Sequence, residues 1–151
     1  MAAKTDILFE DLSESHPSLD TIVDWLHGEW GVVTGNSKDE IRFQLHEPCD
    51  TPPSQVAMKL DKPVGFVWIN RFKLPDQRSP QIWINGLFVT EDCRRKGIAS
   101  SLIERAERLV KPYERMIFAY TEIPEFYFRL GWSLYKAKDK NGSSTVMKEL
   151  K

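Results

Sequence analysis

Cysteine is scarce in this chain. Cys49 and Cys93 are the only two, far apart and without metal-ligand spacing. That argues against a disulfide-stapled scaffold and a thiolate metal site, and makes a reducing, cytoplasmic setting the default. The three histidines, His16, His27 and His46, also miss metal spacing, so surface or capping roles are expected and no metal. An excess of either charge is absent too: 21 Lys plus Arg face 22 Asp plus Glu, for a net charge of −1. Bulk charge therefore gives no reason to expect nucleic acid or a membrane as partner. No apolar run approaches the roughly 20 residues of a membrane-spanning helix. The start, "MAAKTDILFEDLSES", carries acidic residues and no sustained apolar segment, unlike a signal peptide. There are no repeats, no low-complexity tract and no interdomain linker. What remains is 151 residues, 41% of them hydrophobic, enough for a real core in a single domain spanning residues 1–151.

The patterning then sets the order of elements. "TDILFEDL" alternates weakly and reads as a first strand. In "SHPSLDTIVDWLHGEW", Leu19, Ile22, Val23, Leu26 and Trp30 fall at helical spacing, with Ser15 as cap, Pro17 in the first turn and Gly31 at the stop. Ser37 and Glu40 have capping-box spacing for a second helix, with Ile41 and Leu45 on one face. "CDTPPS" and "LPDQRSP" are loops. "QVAMKLDKPVGFVWINRFK" reads as a hairpin turning at "LDKP", and "QIWINGLFV" as the next strand, apolar on both faces. Ile98, Leu102, Ile103, Ala106, Leu109 and Val110 form the stripe of a long helix, with Glu104–Arg108 and Glu107–Lys111 as four-apart pairs on its wet side. After it come a strand, "RMIFAYT", and a short helix, "PEFYFRL", with Pro124 early and Gly131 at its end. A closing hairpin turns at Asn141–Gly142. The fold class is α/β, one mixed sheet layer with helices on both sides.

Where "INGLFV" meets the helix lies a basic junction, "EDCRRKGIAS". A helix N-terminus offers unpaired N–H groups and about half a positive charge, and a glycine there lets a phosphate approach the backbone. Gly97, with small Ala99 beyond it, has that character, and Arg94, Arg95 and Lys96 add positive potential. Alone, such a run also fits a solvated basic turn. In context it is more specific. "INGLFVTEDCRRKGIASSLIERAE" resembles the acetyl-CoA-binding segment of the GNAT superfamily of N-acetyltransferases, whose loop motif is Gln/Arg-x-x-Gly-x-Gly/Ala. Arg94, Gly97 and Ala99 occupy its three fixed positions. "EFYFRLGW" is similar to the family's second segment, x-F-Y-x-x-x-G-F, with Trp132 in place of Phe. "WLHGEWG" resembles a bacterial-type subgroup.

The resemblance implies a GNAT-like fold with a mixed, mostly antiparallel sheet of about six to seven strands. It implies acetyl-CoA as co-substrate, with the backbone of Leu87, Phe88 and Val89 pairing with the pantetheine arm and Gly86 where the strand bulges and splays. The pyrophosphate would lie on the N–H groups of Arg95, Lys96, Gly97, Ile98, Ala99 and Ser100, with Ser100 serving alternatively as a cap. Tyr127 matches the tyrosine that faces the thioester sulfur and donates a proton to the leaving thiolate; an ordinary phenol, with a pKa of about 10, suits that task. The strand carboxylate that some members use as base is replaced by Trp83, and an asparagine common seven residues before the tyrosine is replaced by Tyr120. Glu29, Glu122 and Glu125 are then the remaining carboxylates, each with a solvated-surface reading beside it. Water-mediated deprotonation is expected, with Tyr120 or Thr121 lining the slot. Trp25, Glu29 and Trp30 on the first helix, and Tyr120, Thr121 and Glu122, are candidates for the acceptor wall.

The resulting expectation is an acetyl-CoA-dependent N-acetyltransferase acting on a primary amine of a small molecule or peptide, by direct attack in a ternary complex and as monomer or homodimer. Nothing near Cys93 would activate it as a nucleophile. The competing readings are a non-catalytic acyl-CoA-binding or regulatory module of the same fold, and a nucleotide binder. The second lacks the Gly-Lys-Ser/Thr ending of a P-loop.

Overall fold

The computed structural model describes residues 6–31 and 35–151. The elements run β1 (Ile7–Asp11), α1 (Leu19–Leu26) continued by a π turn (His27–Gly31), α2 (Lys38–Leu45), β2 (Gln55–Lys59), β3 (Lys62–Phe72), β4 (Gln81–Val89), a 3-10 turn (Glu91–Cys93), α3 (Ile98–Val110), β5 (Met116–Thr121), α4 (Pro124–Phe128), β6 (Ser133–Lys136) and β7 (Ser144–Glu149). The strands form one seven-stranded sheet in the order β1-β2-β3-β4-β5-β7-β6. Every neighbouring pair is antiparallel except β4 with β5.

Helices cover both faces, which is why the central strands are apolar on both. One core gathers Leu19, Ile22, Val23 and Leu26 of α1 and Ile41 of α2 over Val56, Met58, Phe66 and Trp68. The other gathers Ile98, Leu102, Ile103, Ala106 and Val110 of α3, with Tyr127 of α4, over Val67, Ile69, Ile82, Ile84, Ile117 and Ala119. Alternate residues of β3 thus serve opposite cores, as period-two side-chain geometry requires.

Local signals hold where both partners are close in sequence. The capping box forms: Glu40 N donates to Ser37 Oγ at 3.1 Å, and Ser37 N to Glu40 Oε1 at 2.8 Å. The hydrogen bond from the Ser37 backbone holds the Glu40 carboxyl below its usual range. The start of α1 differs from expectation. Its N-cap is Ser18, not Ser15, and Pro17 precedes the helix. A turn closed by Leu19 N donating to His16 O takes up the chain before it, and the Ser18 hydroxyl is directed at Met58 Sδ at 3.7 Å instead of capping.

Candidate active site

The site begins where β4 parts from β5. These parallel strands pair only at Trp83↔Phe118 and Ile84↔Ala119. Immediately afterwards the β3–β4 register slips: Ile69 faces Ile84 and Trp68 faces Gly86, so Asn85 is the extra residue of a bulge. From Gly86 to Val89 the strand is held by β3 on one side and, among the described residues, by no strand on the other.

The register decides which backbone groups face that gap. Thr90 N donates to Val64 O at 2.9 Å, which makes Thr90 and Val64 a hydrogen-bonded pair. Alternation along an antiparallel ladder makes Phe88↔Phe66 the next such pair. The Phe88 backbone is therefore turned to β3, a correction to its expected place on the open edge. Leu87 and Val89 face the gap. The Phe88 ring is engaged differently: Trp25 of α1 packs on it with centroids 4.8 Å apart, and the Arg94 guanidinium lies 5.9 Å over it.

The strand runs into the basic loop. Arg94 Nε donates to Val89 O at 3.0 Å, so this arginine clasps the loop to the strand end. Arg95 (φ 65°) and Gly97 (φ 79°) both adopt left-handed backbone, and Gly97 is the N-cap of α3. Among the described residues, no backbone N–H from Arg95 through Ser100 donates to another protein group. Ser100 is the third residue of α3, not its cap. A Cβ built on Gly97 would meet nothing within 4 Å, so the space beside Gly97 is open. Six consecutive donors without an acceptor at a helix N-terminus are suited to an anion.

Tyr127 sits on α4 with 4% of its surface exposed. Its ring lies edge-on between Phe126, at 5.1 Å, and Trp132, at 5.0 Å. Its hydroxyl has no partner among the described residues, yet it is not among the polar atoms sealed from solvent. Burial raises its pKa far above the ordinary phenol range, so the side chain is a protonated donor at any working pH.

Beyond the splay, Tyr120 is half-exposed and its hydroxyl donates to Asp139 Oδ2. That bond is the main reason the Asp139 carboxyl lies below its usual range. Asp139 Oδ1 accepts Asn141 N and Ser143 N at 2.9 and 3.1 Å, tying Tyr120 to the β6–β7 loop. The Thr121 hydroxyl accepts Ile123 N at 2.9 Å. Glu29, Glu122 and Glu125 are exposed. The side chain of Trp30 lies outside the described residues. Trp83 is buried: its Nε1 donates to Phe72 O at 2.9 Å and its ring packs on Phe118 at 5.2 Å. It belongs to a packed aromatic row and brings no polar group to the gap.

One feature of the site escaped the sequence. Glu107 does not pair with Lys111. Its Oε1 accepts Lys148 Nζ at 2.7 Å and its Oε2 accepts Trp132 Nε1 at 3.0 Å. The only sequence signal was the glutamate's position next to Ala106 at the edge of the apolar stripe.

A sheet that parts after a bulge and feeds a glycine-capped helix agrees with the fold that the resemblance implied. The family model for the acetyltransferase (GNAT) family matches residues 19–132. The chain belongs to this family and is thereby an acyltransferase. Among solved structures it is similar to PH1933 from Pyrococcus horikoshii OT3, with a TM-score of 0.75 and 17% identity over 97% of this chain and 99% of the other. An aminoglycoside 6'-N-acetyltransferase complexed with coenzyme A gives a TM-score of 0.75 and 17% identity over 95% and 97%. A chain of the NatC complex bound to Gag peptide and CoA gives 0.75 and 18% over 97% and 99%. At these identities the likeness is one of fold. No curated protein matches the sequence. Among the described residues no helix is long and apolar enough to cross a membrane.

Proposed function

We propose that the protein transfers the acetyl group of acetyl-CoA to a primary amine by direct attack in a ternary complex. The observation that carries this reading is continuity. The open edge at Leu87 and Val89 leads directly to the six free N–H groups of Arg95–Ser100, and Tyr127 belongs to the core that also seats α3. In this reading the pantetheine arm lies along the open edge of β4 and the pyrophosphate on these N–H groups.

The amine nitrogen attacks the thioester carbonyl, and the tetrahedral intermediate collapses with cleavage of the C–S bond. The departing sulfur takes the proton of the Tyr127 hydroxyl, the amine gives up its proton to water, and water returns a proton to the phenolate, so that Tyr127 is restored. Water is assigned this part because Glu29, Glu122 and Glu125 are exposed and Trp83 stands where some members place a carboxylate. Trp25, Tyr120 and Thr121 form the acceptor wall. One structural neighbour acts on aminoglycosides and another binds a peptide, so aminoglycosides and free peptide N-termini head the acceptor panel, followed by polyamines.

Calorimetry with acetyl-CoA tests the first half of the proposal. No heat of binding at high micromolar concentration would overturn it. Thiol release across the acceptor panel tests the second: absence of free CoA with every amine would leave a binding module instead. Tyr127→Phe is expected to lower turnover by about 10²–10⁴-fold while acetyl-CoA affinity stays nearly intact.

A further inference from the structure

We propose that Glu107 is a positioning residue for Tyr127, acting through Trp132. It rests on the reading of Tyr127 as the proton donor. The geometry is specific. Trp132 is one of the two rings that meet Tyr127 edge-on, at 5.0 Å, and its Nε1 donates to Glu107 Oε2 at 3.0 Å. The other carboxylate oxygen accepts Lys148 Nζ at 2.7 Å, and the same ammonium donates to Leu130 O at 2.9 Å. Leu130 N and Trp132 N both donate to Tyr127 O, at 2.9 and 3.1 Å. Leu130 and Trp132, whose N–H groups both hold the Tyr127 carbonyl, are thus referred back to one carboxylate on α3.

Helix α3 is also the helix whose first turn carries the free N–H groups. Glu107 therefore links the element that would hold the pyrophosphate to the residue that would face the sulfur. Its side chain is 13% exposed, and a carboxylate that deep costs stability unless its partners are well placed. Here both oxygens are satisfied by charge-assisted or indole donors. An ordinary tie between helices would not require a ring nitrogen next to Tyr127 as one of its ends.

The test uses protein labelled with 13Cζ-tyrosine and titrated with coenzyme A. The chain has four tyrosines, and loss of one resonance in Tyr127→Phe assigns the relevant one. In the wild type, coenzyme A is expected to shift the Tyr127 resonance. No shift there would overturn the proton-donor reading and the inference with it. In Glu107→Leu the affinity for coenzyme A is expected to stay within about twofold while the Tyr127 response falls by half or more, since small displacements suffice to break reactive alignment. Trp132→Phe keeps an aromatic ring but removes the indole donor with part of the ring, and is expected to reproduce the effect, which keeps the proposal testable if Glu107→Leu does not fold. Combining the two should add nothing. A wild-type Tyr127 response in Trp132→Phe, or in Glu107→Leu alongside a lowered melting temperature, would make the network merely structural and overturn the proposal.

Discussion

Two residues of the basic loop, Arg94 and Gly97, divide its work between side chain and backbone. Arg94 spends its guanidinium on the Val89 carbonyl and the Phe88 ring, so it shapes the loop. Gly97 contributes only conformation: at φ 79° it turns the chain into α3, and a side chain there would meet nothing within 4 Å. A β-branched residue at that φ costs roughly 1–2 kcal/mol in backbone strain, and its methyl groups would stand in the open space beside residue 97. Gly97→Val is therefore expected to weaken coenzyme A binding about tenfold or more. Arg94→Ala, losing about one hydrogen bond, should stay within about fivefold. Calorimetry on both variants decides the order, and a larger loss in Arg94→Ala would mean that side-chain charge, not backbone, holds the pyrophosphate. The sequence exposed the run of charges and the glycine. It did not expose the clasp, because the acceptor of Arg94 is a carbonyl whose position depends on the bend after Thr90.

At the scale of elements, the seat of α3 on β3 is set by an absent side chain. A Cβ on Gly65 would meet Leu102 Cδ1 at 3.1 Å, Ile98 Cγ2 at 3.2 Å and Phe88 O at 3.3 Å. Two of those atoms belong to the first turns of α3, directly behind the N–H groups of the basic loop. Gly65→Ala should then cost about 1–3 kcal/mol through overpacking, seen as a lower urea midpoint at unchanged m. A gain in stability, as glycine replacement gives where space allows, would show that α3 shifts freely. The periodicities that predicted α3 and the capping box of α2 were legible because each partner lies within one or two turns of the same helix. The part played by Glu107 was not. Spacing within α3 offers it Lys111, whereas its partners come from residues 132 and 148, brought over by α4 and β7. The backbone orientation of Phe88 was hidden for a related reason: residue type says nothing about which edge of a strand a carbonyl faces, and only the register against β3 settles it.

For the molecule as a whole, the sheet is continuous on one side of β4 and interrupted on the other, and that asymmetry carries a test of the entire site. At Trp83 and Ile84 the strand is paired on both edges; from Gly86 to Val89 it is paired, among the described residues, with β3 alone. A pantetheine arm in the gap would complete the ladder, so Leu87 and Val89, whose N–H groups face it, should gain hydrogen-exchange protection when coenzyme A binds. At a concentration a hundred times Kd the slowing should be about a hundredfold. The amides of Arg95–Ser100 should slow with them, because they have no acceptor among the described residues. Phe88 is the internal control: its N–H already pairs with Phe66, so its exchange should change little. Helix α2, which packs into the core on the opposite face of the sheet, should not respond at all. A uniform slowing across both faces would indicate global stabilisation by ligand, and protection centred on Phe88 would mean that the β3–β4 register, and with it the assignment of the binding edge, is shifted by one residue.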